Sequence, residues 1–162
     1  MRLTPRSGFR KTLAGLTLIA WGLPAVAASA TSSFDVSIQV LATCSISASN
    51  MTFSSITTGT TSNTDATSSL TVNCSNGTPY TIALGNGNNY SGGRRMTNGS
   101  TNINYYLYAD SGRSTQWNTA APQTGTGSGA DQVLTVFGRV PSGQSVPQTG
   151  SYSDTIIATV TY

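Results

Sequence analysis

From residue 34 onward the apolar residues of this chain recur at every second position, and no segment of useful length shows helical spacing. Phe34, Val36, Ile38 and Val40 alternate with polar neighbours in "SSFDVSIQVLATC". Cys44, Ile46 and Ala48 do so in "CSISASNMTF", Leu70, Val72 and Cys74 in "SSLTVNC", and Tyr80, Ile82 and Leu84 in "PYTIAL". "INYYLYAD" sets Ile103, Tyr105 and Leu107 opposite Tyr106 and Tyr108, and "DQVLTVFGRV" and "SDTIIATVTY" close the chain. In the last run Ile156, Ala158, Val160 and Tyr162 share a face. A period of two, rich in β-branched and aromatic residues, is the mark of half-buried strands. The breaks agree. Asn76-Gly77, Asn86-Gly87 and Asn98-Gly99 are turn signals, "TGTGSG" is a loop, and a longer loop starts at Pro141. Short strands at this spacing, with no helix between them, predict an all-β antiparallel sandwich.

The first thirty residues read differently. Arg2, Arg6, Arg10 and Lys11 precede an apolar stretch from Thr12 to Leu23, then Pro24, then Ala25-Val26-Ala27 or Ala28-Ser29-Ala30. This is the order of a secretory signal peptide, expected over 1–30. The apolar stretch is too short for a comfortable membrane span of about 20 residues, and no second one exists, so no integral membrane segment is expected after cleavage. Removal of the leader takes away four of the eight basic residues. Four arginines (Arg94, Arg95, Arg113, Arg139) then face five aspartates (Asp35, Asp65, Asp110, Asp131, Asp154), a net charge of −1. Nucleic-acid binding loses its warrant, because phosphates call for clustered cations. Arg94-Arg95 reads as a solvated turn.

Export also bears on the two cysteines. In an oxidising compartment Cys44 and Cys74 are expected to form a disulfide. A metal site would want further ligands, and the chain has no histidine. Neither a metal nor another cofactor is expected. No histidine, no glutamate, scattered aspartates and no G-x-S-x-G elbow leave little for general acid–base or nucleophilic catalysis. No enzyme is expected. Tyr105, Tyr106, Tyr108 and Trp117 are candidates for a sugar-stacking platform, or else for core positions.

The segment Phe34–Val40 has one greasy face, and no turn folds it back onto the next strand, so it must pair with something else. The order of the remaining motifs suggests with what. "TCSIS" carries Cys44, and "LTVNC" ends on Cys74. "YTIALGNG" comes next, then an R-x-M turn in "RRMTNG" with Arg95 and Met96, then "YYLYAD", Trp117 and "GRVPSGQSVPQTGSYSDTIIATVTY". In these elements, from Phe34 to Tyr162, the chain resembles the spore coat protein U family, whose members include subunits of archaic (alternative) chaperone–usher pili. One departure is small: Phe53 is followed by Ser where the family often has Phe-Gly.

The resemblance implies an immunoglobulin-like antiparallel β-sandwich that is incomplete, its last strand missing and supplied by a donor strand. It implies a donor extension over 31–42, with Phe34, Val36, Ile38 and Val40 as the inserted residues, and a pilin domain over 43–162. The final strand, with Ile156, Ala158, Val160 and Tyr162, would border the acceptor groove and pair with a chaperone or a donor. The implied partners are identical or related pilin subunits joined head-to-tail, a periplasmic chaperone and an outer-membrane usher. The implied route runs through the periplasm to a pilus on the cell surface, serving adhesion and biofilm formation. A non-polymerising secreted or spore-coat-type surface protein and a carbohydrate-binding adhesin are the alternatives.

Overall fold

In the computed structural model, residues 26–57, 59–145 and 148–162 are described. Most of the expected leader lies outside them. The chain divides into two units, Met1–Ile38 and Gln39–Tyr162. In the first, residues 26–38 form neither helix nor strand, and Phe34, Val36 and Ile38 are exposed.

Among the described residues the second unit holds nine strands: β1 (Cys44–Ala48), β2 (Thr64–Cys74), β3 (Pro79–Leu84), β4 (Arg95–Thr97), β5 (Asn102–Asn104), β6 (Tyr106–Tyr108), β7 (Gln123–Thr126), β8 (Gln132–Val140) and β9 (Ala158–Thr161). They build a sheet in the order β1-β2-β8-β6, a second in the order β7-β3-β9, and a small β4-β5 ribbon, all antiparallel. The four-stranded sheet has the ABED order of an immunoglobulin-like sandwich. In the three-stranded sheet β3 and β9 take the places of strands C and F of the opposite layer, β7 is added beyond β3, and among the described residues no strand stands beyond β9 in the place of G.

The period-2 pattern sets the layers. β2 is the spine of the first sheet, paired to β1 from Cys44↔Cys74 and to β8 from Thr64↔Val140. Its inward residues Leu70, Val72 and Cys74 meet Tyr80, Ile82 and Leu84 of β3 in the core. Gly77, at φ 79°, turns the chain between the sheets, a conformation that costs glycine little. Ile103, Tyr105 and Leu107 are buried as their alternation predicts, but the run is broken into β5 and β6. Tyr105 interrupts it by bonding its N–H to the Arg94 carbonyl at 3.1 Å, across to the ribbon. Trp117 is fully buried and donates its indole N–H to the Ile82 carbonyl at 2.8 Å, so it is a core residue satisfied by main chain.

The expected disulfide is present. Cys44 and Cys74 are bonded across the β1–β2 pair, 30 residues apart in sequence. In the chain-entropy model a loop of that length gives about 3–4 kcal/mol. Replacing both cysteines by serine is expected to lower the unfolding free energy by about that amount in a urea titration.

On the outer face Arg139 grips Asp65 with two bonds of 2.7 and 2.8 Å, and Arg113 joins at 3.3 Å. The Arg139 bond chiefly holds the Asp65 carboxyl below its usual pKa. Asp110 is lowered too, by the Ser114 and Thr115 backbone N–H groups it caps. Carboxyls lowered in the folded state contribute stability above the ordinary Asp value and lose it as pH falls through their depressed values. Beyond the leader there is no Lys, Glu or His. Thermal melts of the chain from residue 31 onward should therefore be nearly flat from about pH 5 to 9, with the loss beginning below about pH 4.

Candidate functional site

A sandwich one strand short has a side that nothing covers. The two sheets end in four edge strands, β1 and β6 on one and β7 and β9 on the other. β1 and β9 approach each other without pairing, and at their ends a groove opens between the segment that follows β1 and the segment that precedes β9. It has two lobes that share Met51, Phe53, Met96 and Tyr152. The first, of about 350 Å³, lies between Ala48–Met51 on one wall and Tyr152–Ile156 with Ala158 on the other. The second, of about 810 Å³, continues between Met51–Thr57 and Gln148–Tyr152, over Ile103 and Val140. The floor of the first lobe is core: Leu70, Leu84, Tyr105, Leu107 and Val136.

The sequence-predicted residues divide. Ile156, Ala158 and Val160 are half-buried and pack against the core from the β9 wall, as their alternation requires. Tyr162 does not join them. It lies beyond the end of β9 and is 59% exposed. Ile156 lies just ahead of the strand, where pairing to β3 has reduced to a single bond from the Gly85 N–H to the Ile157 carbonyl at 2.8 Å. The four residues expected to fill a groove, Phe34, Val36, Ile38 and Val40, are each 85–90% exposed.

The support of the β9 wall was not legible as a site. Asp154 is its anchor. One carboxylate oxygen accepts the backbone N–H groups of Asn88 (2.9 Å) and Asn89 (3.3 Å) and the Asn89 amide (3.0 Å). The other accepts the Tyr105 hydroxyl at 2.6 Å. Burial, with the bond to Asp154 second, pushes the Tyr105 phenol far above its ordinary pKa. Arg94 is the one buried charge of the described residues, and it corrects the reading of Arg94-Arg95 as a solvated turn. Its guanidinium donates to the Leu84 and Gly85 carbonyls, both at 2.9 Å, and so ties down the end of β3. Burial lowers the Arg94 pKa, and Tyr105 and Asp154 work against that. Arg95 and Met96 lie in a strand, β4, not in a turn. Higher up the wall Tyr152 shares a 2.6 Å bond with the Thr101 hydroxyl and donates to the Gln148 carbonyl at 2.9 Å.

The four aromatic candidates do not form one platform. Tyr105 and Trp117 are core, whereas Tyr106 and Tyr108 face outward with ring centroids 6.4 Å apart. Among the described residues no three His, Cys, Asp or Glu side chains form a metal-sized group, and no helix is long and apolar enough to cross a membrane. The chemistry on offer is apolar filling and main-chain pairing along two free edges.

The wall network is testable. Tyr105→Phe strips one donor from a carboxylate that stays in place, and should cost about 1.5–3 kcal/mol. Gly87→Ala puts a methyl into the Asp154 carboxylate at a backbone φ of 87°, and should cost at least as much. Guanidinium unfolding of each variant measures both.

Known proteins share this architecture. The family model for the Spore Coat Protein U domain matches residues 30–159. Protein U of Myxococcus xanthus is 33% identical over an alignment of 170 residues that takes in 92% of this chain and 93% of that protein. Among solved structures, a chain of the CsuC–CsuE chaperone–tip adhesion subunit pre-assembly complex, from the archaic chaperone-usher Csu pili of Acinetobacter baumannii, superposes with a TM-score of 0.58 at 25% identity. That match covers 76% of this chain and 40% of the other, so this chain spans less than half of its length.

Proposed function

The chain belongs to the Spore Coat Protein U domain family, and from that premise we propose that it is a structural subunit of a chaperone–usher pilus, polymerising by donor-strand complementation. The observation that carries the reading is the open groove at the ends of β1 and β9, with an apolar floor and, leading into each wall, a strand at the edge of its sheet. Its proposed occupant is the segment Phe34–Val40 of another copy. That segment has the two properties an added strand needs: main chain to pair along a free edge, and alternate apolar side chains to enter the space between the sheets. Burying each of Phe34, Val36, Ile38 and Val40 contributes roughly 1.5–3 kcal/mol, set against the cost of ordering a flexible segment.

In this reading the domains are a leader over 1–30, a donor extension over 31–42 and a receiving sandwich over 43–162. A subunit with an unfilled groove needs a temporary occupant during export. That is the place of a periplasmic chaperone, and the exchange for a donor at the outer membrane is the place of an usher. The CsuC–CsuE complex supports this, being a chaperone–subunit complex. Each subunit gives a strand and receives one, so the contact is heterologous and does not close on itself. The result is a fibre on the cell surface, suited to adhesion and biofilm formation.

The test compares two forms of the exported chain. One lacks residues up to Val40. The other has Ser33–Leu41 appended after Tyr162 through a short linker. The appended form is expected to be a monomer that melts well above the truncated one, and Ile38→Asp within the appended segment should abolish most of the gain. Equal melting of the two forms would mean that the sandwich needs no added strand, and would favour a surface protein that does not polymerise.

A further inference from the structure

We propose that Asn86-Gly87, in the loop that follows β3, is a site of self-modification: the Gly87 amide nitrogen closes on the Asn86 side chain, ammonia leaves, and the isoaspartate that results unseats the Asp154 anchor. Nothing in this requires a particular occupant of the groove.

The reaction needs only the chain and water. Asparagine is among the thermolabile residues. The main-chain nitrogen of the next residue attacks the side-chain carbonyl carbon. A new C–N bond closes a succinimide ring, the bond to the side-chain nitrogen breaks, and that nitrogen leaves as ammonia with the amide proton. A glycine in the next position favours closure, because no side chain crowds the attacking nitrogen. Water then opens the ring at either carbonyl. Opening at the side-chain carbonyl gives aspartate. Opening at the main-chain carbonyl gives isoaspartate, whose main chain runs through the former side chain and is one methylene longer. Water is consumed, ammonia is released, and nothing is oxidised or reduced.

The sequence has three Asn-Gly pairs, at 76–77, 86–87 and 98–99, and their glycines share one backbone region, at φ 79°, 87° and 94°. What separates them is the attacking N–H. Gly77 donates to the Gly127 carbonyl at 2.8 Å, inside a turn that the Thr78 N–H closes on the Ser75 carbonyl at 3.0 Å. Gly99 donates to the Thr97 hydroxyl at 3.0 Å, and the Asn98 side-chain oxygen accepts the Ser100 and Thr101 N–H groups at 3.0 and 2.9 Å. These bonds must break before either nitrogen attacks. Among the described residues neither the Gly87 N–H nor the Asn86 side chain has a hydrogen-bond partner, and Asn86 is exposed to the water that opens the ring. Its neighbours are fastened on both sides. The Gly85 N–H donates to the Ile157 carbonyl at 2.8 Å, and the Asn88 and Asn89 N–H groups donate to Asp154.

The link between those fastenings has no slack. A methyl on Gly87 would overlap the Asp154 carboxylate and come within 3.1 Å of the Ile156 Cδ1. An extra methylene in the main chain at 86 therefore pushes Gly87 against the carboxylate and draws the Asn88 and Asn89 N–H groups off its oxygen. Asp154 keeps the Tyr105 hydroxyl and loses its hold on the loop, and the approach to β9 loosens.

The test ages the chain from residue 31 onward, folded, in mildly alkaline buffer at body temperature. Chymotrypsin, cutting after Tyr80 and Tyr90, puts Asn76 and Asn86 on separate peptides after reduction, and mass spectrometry times the conversion at each site. Asn86 should convert first, with Asn76 and Asn98 slower by roughly two- to ten-fold, the effect of the bond each must break. In guanidinium the three should convert at similar rates. Thr97→Val removes the hydroxyl that holds Gly99 and should speed Asn98 by about the same factor. Asn76 or Asn98 converting as fast as Asn86 in the folded chain would overturn the assignment, as would the same ranking in guanidinium or an unmoved Asn98 rate in Thr97→Val. The aged natural chain should melt about 5 °C below its fresh form. Asn86→Gln, whose longer side chain closes far more slowly, should hold its melting temperature through the same ageing. Asn86→Asp carries the charge without the added methylene. An aged natural chain that melts no lower than fresh Asn86→Asp would overturn the unseating of Asp154.

Discussion

The outer edge of β9 sets the terms for the rest of the molecule. Its N–H and C=O groups have partners on the β3 side and none on the other, and main-chain groups left unpaired away from water are costly. On most proteins such an edge is blunted by charge, proline or a covering element. Here the residues along it are Ala158, Thr159, Val160 and Thr161, none of them charged. Behind it lies an apolar floor that includes the core residues Leu70, Leu84 and Val136. Edge and floor together are the features on which the proposed donor strand rests.

An edge without a partner strand has to be held in shape by other means. Arg94, Tyr105 and Asp154 do that. A guanidinium buried on two carbonyls fixes the end of β3, and a carboxylate taking four hydrogen bonds fixes the approach to β9. Polar groups this deeply placed are stable only when their bonds are complete. They give the wall a defined position that apolar contacts alone would leave adjustable, and the network draws on three distant parts of the chain.

The layers were legible because strand burial has a period of two. The inward set at Leu70, Val72, Cys74, Tyr80, Ile82, Leu84, Ile103, Tyr105 and Leu107 could be read directly, as could the pairing of the only two cysteines. The wall network could not. Arg94 stands next to Arg95 in a Gly- and Asn-rich stretch, a context that reads as solvent, and its partners are carbonyls, which leave no trace in side-chain identity. Tyr162 continues the alternation of the last run but falls outside the strand, because pairing to β3 ends before it. A period shows which way a side chain points, not where its ladder stops. The split of the four aromatic candidates had the same origin. Tyr105 and Tyr106 are adjacent, so one must be inward and the other outward.

The position of the disulfide has a mechanical consequence. Cys44 is the first residue of β1, and its partner is the last residue of β2, the longest strand, which lies inside its sheet. A pull applied at Thr43 therefore passes by covalent bonds straight to Cys74, and β1 need not be peeled from its neighbour for the force to reach the spine. The bridge also removes the 29 residues between the two cysteines, Ser45 to Asn73, from the length that tension can draw out, about 100 Å of slack at full extension. Under load, the chain yields first somewhere beyond Cys74.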